Sequence, residues 1–133
     1  MKITREADYA LRIVCMLSEQ KIQVEAKQIA DAKLIPYRFT LKILRKLVQA
    51  DIVKSYRGVN GGYTIKKSPS EITLKEVIEI IDGPIAINRC MDSPDICEAS
   101  VDCQLKKRLG IAQQAFSDEL EKVTFEMILN DKI

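Results

Sequence analysis

Three thiols fall in one short stretch, Cys90-Met-Asp-Ser-Pro-Asp-Ile-Cys97-Glu-Ala-Ser-Val-Asp-Cys103, at spacing C-x6-C-x5-C. Ser93, Pro94 and the aspartates argue for a loop rather than a helix or strand. A loop with converging thiols can close around a metal. Soft thiolates suit zinc, cuprous copper or an iron–sulfur cluster. The chain has no histidine. That removes a Cys3His zinc site and leaves three thiolates one ligand short of the usual four for a cluster. A carboxylate can complete the set: Asp92, Asp95, Glu98 or Asp102 in the loop, or Asp8 near the N-terminus, from the same chain or a partner. An iron held by oxygen at one position is labile and open to oxygen, nitric oxide or iron loss, which suits a sensor. The alternatives are three unrelated cysteines, or a disulfide with one thiol spare.

The charge is polarised. Residues 1–67 carry 14 Lys/Arg and 6 Asp/Glu, a balance of +8, and residues 68–133 carry 7 and 13, a balance of −6. The first half therefore suits a polyanion. No apolar run approaches the roughly 20 residues that span a membrane, and the N-terminus lacks a signal-peptide core. The expectation is a cytoplasmic protein, and a reducing compartment disfavours structural disulfides. No nucleophile–base pair or phosphate loop is present, so an enzyme is not expected.

The elements that must position the thiols read as mainly α with a small β-hairpin. A first helix spans about 4–20, with Thr4 as N-cap and Ala7, Ala10, Leu11, Val14 and Leu17 as its apolar stripe. Cys15, inside it, reads as a small core residue. A short helix covers 25–33, Leu34-Ile35 turns, and Pro36 opens a third helix running to about Ala50. Two short helices, a brief turn and a basic second helix describe a helix-turn-helix. Tyr37 and Arg38 are placed for base edges, with Thr40 nearby; Lys42, Arg45 and Lys46 suit phosphates. Strands at 52–56 and 62–66 flank Arg57-Gly58-Val59-Asn60-Gly61, where Asn60-Gly61 signals a hairpin because both residues tolerate positive φ. A basic hairpin after a helix-turn-helix is a wing. Its Arg57 can enter a minor groove, and Asn60 and Gly61 belong to the same tip.

Thr73-Leu-Lys-Glu76 reads as a capping box opening a fourth helix, which Gly83-Pro84 ends. From about Gln104 to Lys122 a long helix carries Leu105, Leu109, Ala112, Phe116, Leu120 and Val123 on one side. An apolar stripe of that length needs a partner surface, and a second copy of the chain is an economical one. Residues 124–129 suit a short helix docking back. The organisation is then a winged helix-turn-helix at 1–84, a cysteine loop at 85–103 and a dimerisation helix with its short follower at 104–133.

Residues 1–130 resemble the IscR and NsrR family of winged-helix iron–sulfur transcription regulators. The resemblance is carried by the wing, Arg57-Gly-Val-Asn-Gly-Gly-Tyr63, by the three cysteines, by the opening Ile3-Thr4…Asp8-Tyr9-Ala10-Leu11, and by Leu74…Val77-Ile78. It implies a homodimer on palindromic promoter DNA, with the long helix packed across the dimer. Lys106 stands where the IscR branch has a histidine. Asp8 stands where the NsrR branch has an aspartate that ligates a [4Fe–4S] cluster from the other subunit. By that resemblance Asp8 is the fourth ligand and [4Fe–4S] is favoured over [2Fe–2S]. The first cysteine gap is x6 rather than the family's common x5, and Asp51 stands at a common glycine position. Two other readings remain: a thiol-redox repressor switched by a disulfide, and an interaction module held by structural zinc.

Overall fold

In the extended conformation before the first helix, the Thr4 hydroxyl accepts the Ala7 amide at 3.1 Å. That cap opens α1 (Arg5–Gln20), which ends where Lys21 turns left-handed at φ 53°. The computed structural model describes residues 2–92 and 102–131. Helix α2 (Ala26–Lys33) starts in a reciprocal box between Glu25 and Gln28 and ends at Leu34, φ 56°. Helix α3 (Tyr37–Gln49) follows after three residues, Leu34, Ile35 and Pro36. Pro36 is its N-cap rather than a residue of its first turn, and the Pro36 carbonyl accepts the Phe39 and Thr40 amides.

Asp51 at φ 60° turns the chain out of α3 into β1 (Val53–Tyr56). This is where the resembling family commonly has glycine. Aspartate is among the side chains that tolerate this region, so the turn survives the exchange. Strand β2 (Gly62–Ile65) pairs antiparallel with β1, from Val53↔Ile65 to Tyr56↔Gly62. The loop between them is residues 57–61, as the residue order implies. Its positive φ lies at Gly58, 98°, and neither Asn60 nor Gly61 adopts one. Gly61 is needed for another reason: a Cβ there would stand 2.9 Å from the carbonyl oxygens of Gly58 and Tyr56.

Helix α4 (Leu74–Asp82) has only half of the expected capping box. Thr73 accepts the Glu76 amide at 3.1 Å, but the Glu76 carboxylate takes Lys67 Nζ at 2.7 Å instead of reaching back. The start of the cysteine loop is a helical turn, α5 (Arg89–Asp92), contrary to the expectation of irregular chain. Asn88 supplies the reason. Its side chain accepts the Arg89 amide at 2.8 Å and its carbonyl accepts the Met91 amide at 3.0 Å. Helix α6 (Gln104–Lys122) and α7 (Phe125–Asn130) complete the chain.

The core is built by Ala10, Ile13, Val14 and Leu17 of α1, Ile29 of α2, and Ile43, Leu44 and Leu47 of α3, closed by Ile52, Val53, Ile72 and Val77. Ile13 is wholly buried in the α1 stripe, and Leu11 lies at its edge. Phe125 of α7 is wholly buried in this same core. Backbone bonds bring it there: Leu74 N to Val123 O at 3.0 Å and Phe125 N to Ile72 O at 3.0 Å. The short C-terminal helix thus docks onto the head. Among the described residues, no helix is long and apolar enough to cross a membrane.

Candidate nucleic-acid interface and thiol site

Helix α3 presents two chemically distinct faces. Thr40, Ile43, Leu44 and Leu47 are buried, while Tyr37, Arg38, Leu41, Lys42 and Arg45 are exposed. Arg38 lies over the Phe39 ring, 5.1 Å from its centroid, which steadies a long side chain beside the helix N-terminus. Thr40 does not belong to the outward face. It is wholly buried, and its hydroxyl donates to the Pro36 carbonyl at 3.3 Å, so it cannot meet a base. Leu41 is exposed between Tyr37 and Arg45, and helical spacing alone did not mark it out.

Lys42 and Lys46, the expected phosphate contacts, both face Glu6 of α1. Lys42 Nζ donates to Glu6 Oε1 at 2.9 Å, and Lys46 Nζ is 3.8 Å from Oε2. The hydrogen bond from Lys42 holds the Glu6 carboxyl below the usual carboxylate range.

The wing is braced from behind. Val24, between α1 and α2, pairs with Tyr63 through two backbone bonds of 3.0 and 2.8 Å. Gln23 Nε2 donates to the Asn60 carbonyl. Gly62 lets this strand approach, since a Cβ there would lie 2.9 Å from the Val24 carbonyl oxygen. Arg57 is exposed at the wing, and Val59 at its tip is 99% exposed. Such a frame leaves the arginine exposed beyond the braced strands. We expect Arg57→Ala to weaken duplex binding about tenfold without changing the fold, in titrations at fixed salt. Unchanged affinity would remove the wing from the interface.

Cys90 lies in α5 and Cys103 immediately before α6. Cys90 and Cys103 line one cavity of about 260 Å³ with Asn88, Arg89, Leu105, Lys106 and Leu109. Cys103 is the N-cap of α6, its sulfur accepting the Lys106 amide at 3.5 Å. Arg89 and Lys106 bring positive charge to the lining, as suits thiolate ligands. Cys97, Asp95 and Glu98 lie outside the described residues. Asp102 pairs with Lys107 at 3.0 Å. Asp8 is half exposed on α1 and its Oδ2 accepts from Arg12 at 2.6 Å; it does not line the thiol cavity. Among the described residues, no three Cys, Asp or Glu side chains converge as a metal site. Cys15 is separate, and burial pushes its thiol up, which fits a packing role.

Helix α6 shows most of its apolar side to solvent in the single chain. Leu105, Ile111 and Phe116 are 65%, 64% and 46% exposed, and only Ser117 of this helix is buried.

Residues 3–131 match the family model described as "Rrf2: Iron-dependent Transcriptional regulator". Among curated proteins, the HTH-type transcriptional regulator NsrR of Bacillus subtilis is 30% identical over 135 residues, covering 99% of this chain and 92% of that one. Protein aau3 of Rhizobium meliloti is 31% identical over 129 residues, 95% and 83% of the two chains. Among solved structures, CymR, the global cysteine regulator of B. subtilis, superposes with a TM-score of 0.78 at 26% identity, covering 95% and 94%. T. potens IscR has the same fold, with a TM-score of 0.80 at 19% identity over 100% and 89%. A basic winged helix-turn-helix and a match over nearly the whole length agree: the chain belongs to the Rrf2 family and is a DNA-binding transcription regulator, not an enzyme.

Proposed function

We propose that the protein is a cytoplasmic homodimer whose binding to palindromic promoter DNA is governed by an iron–sulfur cluster held by Cys90, Cys97 and Cys103. The observation that carries this reading is the shared cavity of Cys90 and Cys103, 13 residues apart in sequence, against the N-terminus of the long helix. Their donor chemistry fits iron. Likeness to NsrR supports Asp8 of a partner subunit as fourth ligand and hence [4Fe–4S] rather than [2Fe–2S]. Asp8 is accessible enough for that role, although Arg12 must then share it. The exposed apolar side of α6 supports pairing of two chains through that helix.

In this reading residues 1–84 are the reading head, 85–103 the sensing loop and 104–133 the coupling segment. The bound cluster supplies a redox- and ligand-sensitive tie between three points of the loop. The chain's own part is mechanical. Cys103 caps α6 and Cys90 lies in α5, which packs on α6, so a change in how the two sulfurs are held shifts α5 against α6. Helix α6 packs on α4, and α4 on α1 and α3. The displacement reaches the two recognition helices, whose separation must match half-sites about one DNA turn apart.

Loaded and apo protein, titrated onto one promoter duplex at a single salt concentration, should differ in affinity by about tenfold or more, as a coupling of 1–3 kcal/mol gives. Equal affinities would refute cluster control. Likeness to CymR supports a second reading, in which Cys90, Cys97 and Cys103 serve as a disulfide switch. In that case oxidation and reduction of the apo protein would change its affinity.

A further inference from the structure

We propose that Glu6 is an internal phosphate mimic that withholds Lys42 and Lys46 from DNA, so that α1 sets the strength of the reading head. The inference rests on the assignment of those lysines to phosphate contacts. It begins with geometry. Glu6 lies in the first turn of α1, 36 residues from Lys42 in sequence, yet its two oxygens face the two ammonium groups separately, at 2.9 Å and 3.8 Å. Lys42 and Lys46 are one helical turn apart on α3, so a single carboxylate reaches both. A carboxylate that spans two lysines offers what a backbone phosphate would offer.

Arg38 and Arg45 of the same helix make no ion pair with a carboxylate among the described residues. The competition therefore falls on the phosphate-facing lysines and spares the arginines. Both lysines and Glu6 keep solvent contact, with 54%, 36% and 27% of their side chains exposed. Exposed pairs of this kind are weak, so DNA can displace Glu6 but must compete with it. The contact also ties α1 to the recognition helix at the end of α1 that is joined to α4. Thr4 N donates to Asp82 Oδ2 at 3.3 Å, two residues from Glu6.

Five proteins test this: wild type, Glu6→Gln, Glu6→Ala, Lys42→Met/Lys46→Met, and the triple variant that adds Glu6→Gln to the two lysine changes. Each is titrated onto one operator duplex across a salt series, with its melting curve as a check on the fold. Glu6→Gln should bind roughly threefold to tenfold more tightly at low salt, since two exposed ion pairs are removed. The gap should close as salt rises, because the freed lysines add about one phosphate contact to the salt slope. In the double-lysine background the Glu6 substitution should change nothing. Glu6→Ala should act in the same direction as Glu6→Gln, which guards against an effect of the amide itself. If the lysine variant binds as tightly as wild type, the phosphate assignment itself is wrong. If the lysine variant is weaker but Glu6→Gln binds no better than wild type, the lysines touch DNA and Glu6 does not hold them back.

Discussion

Alanine at any one of Cys90, Cys97 or Cys103 is expected to strip iron and acid-labile sulfide from anaerobically prepared protein. The expectation follows from coordination number. Three thiolates are already one fewer than the four ligands a cluster usually takes, and a site with two has no means to hold it. The loss should be close to complete rather than graded. The fold should remain, because neither Cys90 nor Cys103 is part of the buried core. Cys103→Ala removes the sulfur that accepts the Lys106 amide, but that bond is long, at 3.5 Å, and sulfur is a weak acceptor. Helicity by circular dichroism should therefore change little. Cys15→Ala is the internal control. It lies on α1, packs against the core, and should leave iron content as in wild type. Full iron retention by Cys97→Ala would mean that the three thiols do not act together.

The second large effect concerns stability. Phe125→Ala should destabilise the protein by about 3–5 kcal/mol, the usual cost of emptying a fully buried aromatic site. A domain of this size commonly has only about 5–15 kcal/mol in total, so a third or more of its stability is at stake. Melting should fall by about 10 °C or more. The size of the effect depends on where α7 sits. The ring is wholly buried among residues of the helix-turn-helix, and the Val123 and Phe125 backbone bonds to Leu74 and Ile72 leave little room for collapse around a cavity. A loss below about 1 kcal/mol in denaturant titrations would show that α7 is not integral to the head.

Most of the reading head was legible in the residue order, for local reasons. Thr4, Thr73 and Thr124 announce helix starts because a hydroxyl at that place can take a free amide. The α3 stripe of Ile43, Leu44 and Leu47 announces its buried face because a helix repeats every 3.6 residues. What escaped was set by groups distant in sequence. Thr40 looked available because its neighbours are, and only the packing of α3 shows that its side chain faces inward. The Asn60-Gly61 pair pointed to positive φ at those two residues, yet the left-handed residue of the loop is Gly58. Glu6 sits in the first turn of α1, where the helix dipole alone would favour a carboxylate, and its hold on Lys42 exists only after α1 and α3 pack. The bridge from Val24 to Tyr63, which braces the wing, joins residues 39 apart and leaves no mark on either segment. For the thiol site, spacing offered Cys90 and Cys103 as possible neighbours, and both line one cavity. The fourth ligand escapes any such reading, because Asp8 of the same chain does not line that cavity and the proposed donor is a second copy.

Those threads meet in one claim: the thiols grip iron, and the head reads DNA accordingly. Iron and acid-labile sulfide, counted per chain in wild-type protein purified without oxygen, test it most directly. The account predicts coloured protein containing both in comparable amounts, with neither in the Cys97→Ala variant. Colourless wild-type protein, free of iron and sulfide even after reconstitution, would contradict it.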